Sequence, residues 1–139
     1  MRPPVRIVSV SQLPPDITIR FQDRPGYLHC LVTGPRDSRE ISIAYWTDIA
    51  HESERRKARK LLVVEKLGEF EGERNISGTL DAIFALGLDK LQVAFVPGRV
   101  ELMAYVEHGE ILARERGATG GRVFSSEAMA ERWLKHGGD

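Results

Sequence analysis

The chain has 139 residues, 42% of them hydrophobic, and carries 20 basic and 20 acidic side chains. That length suits one domain with a real hydrophobic core, and zero formal charge excludes a global field steering it toward nucleic acid or an anionic membrane. Its single cysteine, Cys30, excludes an intramolecular disulfide and with it a disulfide-stapled secreted scaffold.

A reducing, cytoplasmic setting is therefore expected. Met1-Arg2-Pro3-Pro4-Val5 has no apolar run behind its charge, and no stretch approaches the roughly 20 apolar residues of a membrane-spanning helix, so a soluble, unprocessed chain is expected. The anticipated organisation is an arm or edge strand over 1–16, one domain over 17–136 and a disordered tail at 137–139.

In chain order, Val5 to Val10 is β-branched and half alternating, which suits an edge strand flanked by prolines. Ile17 to Phe21 alternates, with Ile17, Ile19 and Phe21 directed inward. Asp23-Arg24-Pro25-Gly26 supplies a turn, and Tyr27 to Thr33 returns as an antiparallel partner that places Leu28, Cys30 and Val32 on one face. Cys30 then reads as a small core hydrophobe. After Gly34-Pro35, Asp37 and Glu40 have the spacing of a capping box opening a helix that runs to about Lys57. Its apolar stripe is Ile41, Ala44, Tyr45, Trp46 and Ile49, and its basic last turns complement the helix dipole.

Leu61-Leu62-Val63-Val64 has no alternation, the pattern of a strand buried on both faces at the centre of a sheet. An acidic loop with Glu65, Glu69, Glu71 and Glu73 leads to a short helix opening near Ser77-Gly78-Thr79 and ending at Gly87. Leu91 to Val96 is the next strand, about Val100 to Arg116 a third helix, and Arg122-Val123-Phe124 a last short strand. Ser125 or Ser126 caps a closing helix with Ala130, Trp133 and Leu134, and Gly137-Gly138 frays the end. Strands alternating with helices after an antiparallel start predict an α/β fold bordering on α+β: a mixed β-sheet with antiparallel N-terminal strands followed by βαβα units. The end of its central strand, where a helix begins, is the natural place for a site.

Taken in sequence, Tyr45-Trp46-Thr47-Asp48-Ile49-Ala50, Ala58 to Val64, Leu86-Gly87-Leu88, Val93 to Val96, Arg116-Gly117, Arg122-Val123-Phe124 and Glu131-Arg132-Trp133-Leu134 resemble the SpoIIAA-like group of the STAS superfamily. The resemblance spans roughly Ile17 to Leu134. It implies a non-enzymatic STAS-like domain. Anti-sigma-factor antagonists of that superfamily carry a phosphorylatable serine in a pattern like Asp-Ser-x-Gly, and the nearest match here is Asn75-Ile76-Ser77-Gly78-Thr79. That makes Ser77 the candidate phosphoacceptor, although the preceding acid is absent and the acidic loop is an insertion; as a plain helix N-cap Ser77 contributes about 1 kcal/mol. Structural kinship with lipid-binding CRAL-TRIO domains implies an apolar ligand but transfers no residue.

Other chemistry lacks a pattern. His29, His51, His108 and His136 are scattered, so neither a metal nor a cofactor is expected. Gly117 to Gly121 lies between a helix and a strand, the reverse of a dinucleotide fingerprint, and reads as a turn. His108 and Glu110 read as part of a solvated helix face rather than an acid-base pair. Two functional expectations follow. The first is a regulatory module engaging a protein partner through Glu65, Asn75, Ser77, Gly78 and Thr79, with self-association as a homodimer expected through the open edge of the first strand or an exposed helix face. The second is a carrier or sensor of a small apolar, lipid-like ligand lined by Tyr45, Trp46, Phe84 and Tyr105.

Overall fold

The structure, a computed structural model, describes residues 11–136. The strand expected at Val5 to Val10 and the fraying expected at Gly137-Gly138 lie outside the described residues.

Among the described residues, seven strands and four α-helices follow one another as β1 (Thr18–Arg24), β2 (Tyr27–Thr33), β3 (Arg36–Ser38), α1 (Arg39–Arg56), β4 (Lys60–Lys66), β5 (Glu69–Glu71), α2 (Ile76–Ala85), β6 (Gln92–Pro97), α3 (Met103–Glu115), β7 (Gly121–Val123) and α4 (Glu127–His136). The five-stranded sheet has the order β1-β2-β4-β6-β7. β1 and β2 are an antiparallel hairpin; the pairings β2–β4, β4–β6 and β6–β7 are parallel. The aliphatic run Leu61 to Val64 is thus the central strand, paired on both edges and buried on both faces. Its side chains alternate between two cores. Leu61 and Val63 join Leu28, Cys30, Val32 and the α1 stripe on one face, whereas Leu62 and Val64 join Tyr27, Ala94, Val96, Ala130 and Leu134 on the other. Cys30 is fully buried, and burial pushes its thiol up to about 12, so it packs as a hydrophobe.

Local signals explain the helix ends, with corrections. Ser38, not Asp37, caps α1: its Oγ accepts from Ile41 N at 3.1 Å. Asp37 instead turns inward, and Glu40 is exposed, so the Asp37–Glu40 capping box does not form. At the other end Lys57 takes the left-handed conformation and closes the helix onto Glu54 and Ser53. The α2 cap is Asn75, whose Oδ1 accepts from Gly78 N at 2.9 Å, so Ser77 lies inside the first turn and does not cap it. Ser126 is the residue that receives Met129 N ahead of α4.

The acidic stretch is more ordered than a loop. β5 pairs in parallel with β3 as a separate two-stranded ribbon, Arg36 to Glu69 through Ser38 to Glu71. A Cβ on Gly68 would stand 2.0 Å from the Pro35 carbonyl oxygen, so the approach of these segments requires glycine there. The ribbon hangs beyond the C-terminal end of β4 and brings Asp37 and Phe70 side by side.

The basic end of α1 is engaged within the fold. Arg55 and Arg56 both bind Glu52, Arg56 also pairs with Asp23, and Lys60 Nζ donates to the Leu134 carbonyl at the end of α4. Glu110 on α3 accepts from Val123 N at 2.7 Å and pairs with Arg114, fastening α3 to β7, while His108 is exposed.

Candidate functional site

A cavity of about 170 Å³ lies between the sheet and α2 and α3, with α1 as its side wall. β6 supplies Val93 and Phe95 to its floor, and α2 and α3 supply Leu80, Ile83, Phe84, Tyr105 and Val106 to its roof. Trp46 stands against Tyr45 and Phe95, with ring centroids 5.4 and 5.7 Å away. Gly109 keeps room between the helices, since a Cβ there would lie 2.8 Å from Ile76 Cδ1. All four residues expected to line an apolar ligand, Tyr45, Trp46, Phe84 and Tyr105, border this one space.

One end of the cavity is polar. Glu65 sits on the last turn of the β4 ladder opposite Val32 and Pro97, and it is only 6% exposed. Its place in the expected partner surface is therefore corrected: the strand continues past Val64, and the side chain turns inward. Tyr45 Oη donates to Glu65 Oε2 at 2.6 Å, the one side-chain hydrogen bond of Glu65 among the described residues. Asp37 is also buried, its Oδ1 accepting from Ser38 N at 2.7 Å and Ser42 Oγ at 3.2 Å.

Electrostatics follow from this burial. Desolvation, reinforced by the nearby Asp37 charge, pushes the Glu65 carboxyl up to about 7; the Tyr45 hydrogen bond and Arg74 oppose it. Desolvation also raises Asp37, against the pull of its two hydrogen bonds and Arg74. The Tyr45 phenol is held neutral, first by desolvation and then by the Glu65 and Asp37 charges.

Arg74 covers this end. Its guanidinium carbon lies 4.4 Å from the Phe70 ring centroid and 5.1 Å from that of Tyr105, a cation between two aromatic faces. Arg74 belongs to the segment before α2, Phe70 to β5 and Tyr105 to α3, so the contact joins three elements at the polar end of the cavity. Its charge lies near Asp37, Glu65 and Tyr105.

The remaining expected residues do not converge on this space as a group. Thr79 borders the cavity, and its Oγ1 donates to the Asn75 carbonyl. Asn75 and Gly78 form the α2 cap. Ser77 is exposed and accepts from Arg116 Nη2 at 2.7 Å, while Arg116 Nη1 pairs with Asp81. Asp37, Ser42, Phe70 and Arg74 were not anticipated as site residues. Arg74 alone left a trace, as the only basic residue between Leu67 and Asn75.

Among the described residues, no group of three or more His, Cys, Asp and Glu side chains could hold a metal ion, and no helix is long and apolar enough to cross a membrane.

No protein-family model and no curated protein matches the chain. Among solved structures, it is similar to an uncharacterized protein of the DUF3478 family from Shewanella loihica PV-4, described as having a SpoIIAA-like fold. The TM-score is 0.50 with 18% identity, over 85% of this chain and 93% of that one. The fold is thus SpoIIAA-like: a mixed α/β architecture, as the sequence resemblance implies. At that identity the likeness speaks to fold alone.

Proposed function

We propose that this protein binds a small, mostly apolar molecule in the cavity beneath α2 and α3, as a carrier or sensor. The supporting observation is the cavity itself: a mostly aromatic and aliphatic chamber with a polar cluster of Asp37, Glu65 and Arg74 and further polar groups at Asp89, Glu110 and Arg122, the usual composition of a small-molecule site. Its volume favours a compact ligand. A cavity of roughly 150 Å³ accepts benzene, so about 170 Å³ suits one ring or a short branched chain rather than a full lipid. Native mass spectrometry of freshly purified protein should reveal a reproducible co-purifying mass. In the Trp133→Phe variant, Trp46 is the sole tryptophan, and small aromatic ligands should change its fluorescence saturably. Absence of both a bound mass and a saturable Trp46 response across a panel of small aromatics would remove the proposal.

A second reading is a regulatory module that engages a protein partner or another copy of this chain. Ser77 favours it, because this exposed hydroxyl in the first turn of α2 touches Arg116, a cation able to pair with a phosphate. Partner capture should then differ between Ser77→Asp and Ser77→Ala. Equal capture by the two variants excludes the switch.

A further inference from the structure

The polar end of the cavity is not neutral toward ligand charge. Three ionisable side chains meet there, Asp37 from β3, Glu65 from β4 and Arg74 from the segment before α2, with the phenols of Tyr45 from α1 and Tyr105 from α3 beside them. Asp37 accepts two hydrogen bonds from the α1 cap region, both on Oδ1, and Arg74 lies between two rings without a hydrogen bond or ion pair among the described residues. Taken together, Asp37 and Arg74 offset one another in charge. Glu65 is left over. It is more than nine-tenths buried, and only one of its carboxylate oxygens is engaged.

A buried charge is tolerated when a partner neutralises it and its hydrogen-bonding capacity is filled. An incoming carboxylate would bring this end to net −1 with Glu65 protonated and to −2 with it ionised. A neutral ligand leaves ionised Glu65 uncompensated. An ammonium group brings the cluster to zero, supplies donors for Oε1, and places a cation among aromatic rings whose faces attract it. We propose that the cavity selects organic amines: the ammonium head donates to Glu65 Oε1 at the buried end, and its ring or short hydrocarbon chain lies against Trp46, Phe84 and Phe95. This assignment rests on the small-molecule reading above and goes further by fixing the head-group chemistry.

Three probes of one size and different charge test it: phenethylamine, phenethyl alcohol and phenylacetate, titrated calorimetrically into the full chain at pH 6 and pH 8. Phenethylamine should bind at least tenfold more tightly than either of the others at pH 8. Its affinity should rise about tenfold from pH 6 to pH 8 as Glu65 ionises with a midpoint near 7, because the amine stays cationic throughout. Glu65→Gln should abolish that pH dependence and weaken phenethylamine binding about tenfold or more while sparing phenethyl alcohol. Tyr45→Phe, which removes the donor to Oε2, should move the midpoint upward, a response that a merely structural Glu65 would not give. Circular dichroism checks that both variants are folded before their binding is compared. Tighter binding of phenethyl alcohol or phenylacetate than of phenethylamine overturns the amine assignment but leaves the cavity as a ligand site. Absence of binding by all three overturns both.

Discussion

The two faces of the central sheet are covered by the same kinds of residue and put to different uses. On one face, α4 lies alone over Tyr27, Leu62, Val64, Ala94 and Val96, and its polar edge is tied down at three points. Tyr27 Oη donates to Glu131, His29 Nε2 lies 3.0 Å from Glu127 Oε1, and Lys60 reaches the Leu134 carbonyl. These polar groups fasten a helix at its rim, and Trp133 Nε1 on the same helix is buried without a partner among the described residues. On the other face, three helices flank a cavity bordered by four carboxylates, Asp37, Glu65, Asp89 and Glu110, and Asp89 Oδ1 is buried without a hydrogen-bond partner among the described residues. A fold selected only for stability would fill that volume and remove those acids, since both features weaken it. The α4 face shows what the same sheet does when packing is the sole demand. The cavity face is where stability has been given up, and such places are where function is usually housed.

The comparison breaks most visibly under substitutions of its two centres. Leu134 is 1% exposed and anchors α4, so Leu134→Ala should lower unfolding free energy by about 3 kcal/mol in urea denaturation. It should leave binding in the cavity unchanged. Large loss of binding alongside a small loss of stability would mean that the two faces are not independent.

A comparable effect, but dependent on pH, belongs to Glu65. Its carboxyl rises from the ordinary 4.5 to about 7 in the folded protein, so between those values the native state holds a proton that the unfolded chain has released. Stability from this group is therefore full below pH 4.5 and is lost as pH rises through 7. The loss is on the order of 3 kcal/mol for a group this buried. Asp37, shifted in the same direction from a lower starting value, adds to the decline at the acid end of the range. Glu65→Gln should flatten the stability profile between pH 4.5 and 7. A wild-type profile already flat over that interval would show that Glu65 is ionised at ordinary cost, and the contrast between the faces would lose its electrostatic half.

These two centres were unequally legible in the amino-acid order. Leu134 and the Leu61 to Val64 run carry their roles in the local pattern: apolar residues at helical spacing, and an aliphatic stretch without alternation. The α1 stripe of Tyr45 and Trp46 is equally plain, and with Phe84 and Tyr105 it borders the cavity. Glu65 could not be placed in the same way. A charged residue after an apolar run reads as the start of a loop, and what holds it inside is a tyrosine twenty residues earlier on another element. The β3–β5 ribbon was hidden for a related reason. Arg36-Asp37-Ser38 and Glu69-Phe70-Glu71 have no apolar periodicity, and each becomes a strand only through the other. Asp37 and Arg74 arrive at the cavity through that ribbon and the segment after it, so the polar end is a product of tertiary structure.

The smallest expected effect separates capping from display at the α2 start, beside the cavity roof. Asn75 Oδ1 satisfies Gly78 N, so Asn75→Ala should cost about 1 kcal/mol. Among the described residues Ser77 makes one side-chain hydrogen bond, on the surface with Arg116, and Ser77→Ala should stay within about 0.5 kcal/mol of wild type. The ordering matters more than either value. Were Ser77→Ala the costlier change, the serine would be part of the helix start, and a phosphate placed there would disturb the roof of the cavity. With Asn75 as the cap, the hydroxyl of Ser77 can be altered while α2 stays closed over Phe84 and Ile83. The two readings of this protein can then be tested separately, one at the surface and one inside.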